Sequence, residues 1–94
     1  MAKASLSHYN SLTTTPAATA AYLNIAEGME RSTVADQCKF LDYARASCGE
    51  VRTQIIVGMK AGFLAEDTGK IWVSETRELA AMINGLIRSI RKQE

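Results

Sequence analysis

Ninety-four residues allow one domain, and a chain this short buries only about 60% of the surface its unfolded form exposes, so its stability is marginal without further cover. A hydrophobic content of 47% with 22% charged residues marks a chain that folds to a globule, and a net charge of +1 gives no bulk attraction to nucleic acid or to a membrane surface. No apolar run approaches the roughly 20 residues that span a bilayer and the N-terminus carries no apolar signal core, so no membrane partner is expected and the expected setting is cytoplasmic.

Met1 to Thr15 is rich in Ser, Thr and Ala without a sustained period, and reads as a mobile arm that holds His8 and Tyr9 away from any chemical partner. Pro16 suits the first position of a helix, and Ala17, Ala18, Ala20 and Ala21 favour its continuation to about Glu27. Gly28 is a natural stop, because glycine accepts the left-handed conformation at a helix end. The run Asn24-Ile-Ala-Glu-Gly-Met-Glu-Arg-Ser32 therefore reads as a joint, with Asn24, Glu27, Gly28 and Arg31 as its key residues. Glu27 and Arg31 stand four apart, the spacing of a local ion pair.

A second helix starts at Ser32 or Thr33, where Thr33-Val-Ala-Asp36 fits a capping box with Asp in the acidic place. At about 100° per residue, Gln37, Leu41, Ala44, Cys48, Val51, Ile55 and Met59 share one face. Asp36, Lys39, Glu50 and Lys60 take the other, and Gly62 is the expected C-terminal cap. A third helix begins near Ala65-Glu66-Asp67 and carries Trp72, Thr76, Leu79, Ile83, Leu86 and Ile90 in a heptad-like seam, widened by Ala80 and Ile87. Asn84 reads as a solvated surface residue, and Gly85 as a point where another helix can come close. Trp72, Phe40 and Phe63 carry the largest apolar areas, while Met29 and Met59 are suited to filling gaps. Two long stripes of this kind close on each other as an antiparallel helical hairpin, residues 33–61 against 66–91, with the shorter N-terminal helix packed on it. The expected fold is all-α, with residues 1–23 as arm and short helix and residues 24–94 as the bundle domain.

Cys38 and Cys48 lie ten positions apart on one helix, about 15 Å, which is beyond disulfide reach. Free structural thiols in a reducing compartment are expected. One histidine and two cysteines are too few for a zinc site, so no metal and no cofactor are assigned. No Ser–His, Cys–His or phosphate-loop constellation is present, so no catalytic residue is assigned and the chain is read as a non-enzyme.

The remaining candidates are charges on helix flanks. Arg45 and Arg52, seven apart, stack along one side of the second helix beside its apolar face. They suit either a local pair such as Asp42 with Arg45, or a salt bridge or phosphate contact with a partner. On the third helix Lys70, Arg77, Arg88 and Arg91 fall on one flank and Glu75 and Glu78 on the other. Unlike edges of this kind suit head-to-tail association, and the basic edge alone suits a phosphate backbone. An exposed apolar strip left on the hairpin would be covered by self-association.

Asn24-Ile-Ala-Glu-Gly28 and Glu30-Arg31-Ser32, followed by Lys39-Phe-Leu41, Gly49-Glu50, Arg52-Thr-Gln54 and Gly62-Phe-Leu64, resemble the small proteins encoded in bacterial large-subunit ribosomal RNA intervening sequences. Met82-Ile-Asn-Gly-Leu-Ile-Arg-Ser89 is similar to that family's last helix. The resemblance runs from about residue 24 to residue 94, and upstream of it the chain is shorter than the family pattern. It implies a four-helix-bundle fold and non-enzymatic homo-oligomers, with five-fold rings as one form. A related group of bundle proteins assists reverse transcriptases and contacts nucleic acid, which is an analogy of fold. The function expected is thus a non-catalytic, self-associating helical bundle. The alternative is a nucleic-acid-binding accessory module that uses Arg45, Arg52, Arg77, Arg88 and Arg91.

Overall fold

The computed structural model describes residues 16–93, so the segment read as an arm, with His8 and Tyr9, lies outside the described residues. Among the described residues there are three helices and no strand: α1 (Pro16–Glu30), α2 (Val34–Lys60) and α3 (Glu66–Lys92). Both long helices run unbroken.

The start of α2 follows from its cap. Thr33 has extended backbone, and its side chain accepts a hydrogen bond from the Asp36 amide at 3.2 Å, which satisfies one of the helix's orphan donors. Its end is a Schellman closure. Phe63 N–H donates to the Gly58 carbonyl at 2.9 Å and Gly62 N–H to the Met59 carbonyl at 3.2 Å. Gly62 has φ +83°, which a side chain would strain. The cap read at Gly62 is therefore present. Phe63, just beyond it, is 90% exposed and adds nothing to the core, contrary to its expected share of the buried area.

The stop read at Gly28 is not there. α1 continues to Glu30, so Asn24, Glu27 and Gly28 are helical, and the turn between α1 and α2 is confined to Arg31–Thr33. Gly28 has a different use. A Cβ built on it would stand 3.1 Å from the Gln37 carbonyl oxygen and 3.3 Å from Phe40 Cβ. Glycine at this place lets α1 lie close on α2. Ala18 and Ala21, both buried, continue the same small-residue face.

α2 is the common member of the packing: it lies against α1 and against α3, which barely touch each other. One core cluster joins Ala21 of α1, Cys38, Leu41, Ala44 and Cys48 of α2, and Ile83, Ile87 and Ile90 of α3. A second joins Ala18, Val51, Ile55 and Trp72. Leu41 and Ile83 have no exposed surface, and full burial of such a side chain stabilises by about 1.5–3 kcal/mol. Of the stripe read on α2, only Gln37 and Met59 keep partial exposure; on α3, Leu79 and Leu86 do, while Ile87 proves more buried than either.

Residues that meet across α2 and α3 run in opposite order along the two helices. Arg45 meets Asn84, Arg52 meets Thr76, and Met59 packs where a Cβ on Gly69 would otherwise sit. Gly85, read as a close-approach point, has only the end of Arg88 within 4 Å of a built Cβ, so no helix comes close there.

Candidate functional site

The arginines singled out in the sequence collect on one face, formed by the outer flanks of α2 and α3. Arg45 donates through Nη2 to Asp42 at 2.5 Å and through Nη1 to Asn84 at 2.7 Å. The local pair is therefore present, and the same guanidinium also ties α2 to α3. Asn84 is half-buried rather than a free surface amide. Arg52 donates through Nε to the Thr76 hydroxyl at 3.2 Å, and that hydroxyl donates to the Val73 carbonyl at 2.6 Å. Buried Thr76 thus has both its roles filled and holds Arg52 half-buried at the seam.

Arg77, Arg88 and Arg91 follow along the exposed flank of α3, and Lys70 continues it, paired to Glu66 at 3.3 Å. Lys60, read on the far side of α2, is exposed and stands about 60° round the helix from Arg45 and about 80° from Arg52, so it borders this face at the Met59 end.

Asn24, Glu27, Gly28 and Arg31 do not join this face. Asn24 donates to the Ala20 carbonyl at 2.8 Å within α1. Arg31 donates to Glu27, and its guanidinium lies 4.7 Å over the Phe40 ring, a cation–π contact that also brings Lys39 to 5.5 Å. Phe40 in turn meets Tyr43 edge to face at 5.7 Å. The group fixes the turn between α1 and α2 and presents no cleft.

A second face is apolar and open. α1 and α3 each pack on α2 and barely touch each other, so the side of α2 between them is the trough. Tyr22 and Met29 project from α1 beside half-buried Ile25, and are 52% and 50% exposed. From α3 come Ile71 at 54% and Met82 at 64%, with half-buried Leu79 and Leu86. Glu75 and Glu78, both exposed, fall on this side of α3 by the helical repeat. The strip on α1 was readable from Ala18, Tyr22, Ile25 and Met29, which repeat at the heptad-like intervals of a seam.

Both cysteines are free and buried. Burial pushes the Cys48 thiol above its ordinary value, and the Arg52 guanidinium draws it part of the way back. Among the described residues no three His, Cys, Asp or Glu side chains converge as metal ligands would. No helix of the described residues is long and apolar enough to cross a membrane.

These features define an all-α protein of long amphipathic helices with one basic and one apolar open face. Its sequence matches the 23S rRNA-intervening sequence protein family over residues 13–85, and the chain belongs to that family. The match extends upstream of Asn24, where the quoted motifs begin, and stops short of residues 86–94. Comparison with curated proteins and with solved structures gives no match.

Proposed function

We propose that this is a non-catalytic assembly protein whose three described helices form three corners of an antiparallel four-helix bundle, and whose open fourth corner is covered by self-association. The observation that carries the reading is the trough between α1 and α3. Tyr22, Met29, Ile71 and Met82 are each half or more exposed, and helix geometry puts the first two on one side of α1 and the last two on one side of α3. Monomers rarely leave a contiguous apolar patch beyond about 300–600 Å² uncovered. A ring of five is the form the family resemblance suggests. Two buried free thiols suit a cytoplasmic setting.

Sedimentation equilibrium at micromolar concentration tests this. The wild-type chain is expected as a multiple of its 10.2 kDa mass. Met82→Glu combined with Tyr22→Ser places a charge and a polar group in the trough, and should return the protein to monomer with its helical circular dichroism unchanged. A wild-type monomer would end the proposal.

A further inference from the structure

We infer that the outer α2–α3 face binds the phosphate backbone of a double-helical nucleic acid. The face carries seven cations in tiers. Arg88 and Arg91 stand at one end, then Arg45, then Arg52 with Arg77, then Lys60 with Lys70. Asp42 and Glu66 share it, paired to Arg45 and Lys70, and Glu50 stands beside Arg52 and Gly49. Seven cations against three carboxylates is an excess of four on one face of a chain whose total charge is +1. The rest of the molecule is therefore net negative, and the face is a local concentration of charge that composition conceals.

The spacing suits a polyanion. Arg45 to Arg52 is seven residues of helix and Arg52 to Lys60 eight, so successive tiers are about 11 Å apart. From Arg91 to Lys70 is 21 residues of helix, about 30 Å, close to the roughly 34 Å of one duplex turn. Two of the cations are pre-positioned by Asn84 and Thr76, which lowers the ordering cost of contact. Small residues between the tiers, Gly49 and Ala81 among them, keep the surface low enough for a backbone to approach.

The choice of a duplex rests on what else faces outward. Single-strand binders stack bases on aromatic rings, at about 1–3 kcal/mol per base. The described aromatics are elsewhere: Trp72 in the core, Phe40 and Tyr43 at the α1–α2 turn, Tyr22 in the trough and Phe63 beyond the end of α2. Arginine and lysine tiers alone read charge and shape without sequence. The trough lies on the other flank of α3, so assembly through it leaves this face open.

Gel retardation with a 20-base-pair RNA duplex, the DNA duplex of the same sequence, and one single strand, over a salt series, tests the inference. Retention of at least one duplex at about 50 mM salt is expected, with log K falling against log salt at a slope of about −4.5 for some five phosphate contacts. Preference for one duplex identifies the nucleic acid. Arg77→Gln with Arg88→Gln and Arg91→Gln should weaken binding more than tenfold and flatten the slope by about 3, and Arg52→Gln alone by about 1. Lys39→Gln, on the far side of α2, should change neither. No retention of either duplex, wild-type behaviour of the triple variant, or single-strand binding as tight as duplex binding would overturn it.

Discussion

Cys48 is 1% exposed, and its thiol is held above the ordinary value of 9.0 by burial. The folded state therefore keeps the proton that the unfolded chain gives up as pH passes 9.0. A raised folded value means a contribution present below that pH and lost above it. Urea unfolding of the wild type and of Cys48→Ala, compared at about pH 7 and about pH 10, checks this: the stability advantage of the wild type should shrink at the higher pH. Contacts within one helix were the legible ones at this scale. Asp42 with Arg45 and Glu27 with Arg31 follow from spacing alone. Asn84 was misread because its partner, Arg45, is 39 residues away in sequence, and no local pattern announces it.

The glycines separate two meanings of one residue type among the helices. Gly28 faces a carbonyl oxygen and a Cβ of α2, neither of which can swing aside. Gly28→Ala gains about 1 kcal/mol of helix propensity but overpacks by about 1–3 kcal/mol, so the net effect should be destabilising by about 1 kcal/mol. Gly49 has nothing within 4 Å of a built Cβ, so Gly49→Ala should stabilise by about 0.5–1 kcal/mol. Thermal denaturation of the two variants should show shifts of opposite sign. Sequence periodicity placed α2 and α3 nearly to the residue, because each has a strong stripe and a chemical end signal: Thr33 and Gly62 for α2, and Glu66 with Asp67 opening α3. The end of α1 was missed for a reason of packing. Glycine punctuates a chain when it turns and also where two backbones meet, and only the neighbouring helix distinguishes the cases.

The described residues form a long body. Its extents are 46 × 24 × 18 Å and its radius of gyration is 14.8 Å, against about 11.5 Å for a compact domain of that many residues. An elongated layer of helices cannot enclose every apolar side chain, which is why Met82 and Tyr22 stay open while Leu41 and Ile83 are sealed. The sequence stripes foretold the sealed set. The charged flanks of α3 are legible from the same periodicity, but which flanks remain bare is not, since that depends on where α1 and α3 sit around α2.

That α1 rests on α2 almost alone, through alanines and a glycine, has a dynamic consequence. Small side chains give close contact but little buried area, so α1 is the plank that lifts first. In amide hydrogen exchange its protons should be replaced by deuterium sooner than those at the centres of α2 and α3, through openings that leave the other two helices zipped. A chain built this way can loosen one edge while its spine stays shut.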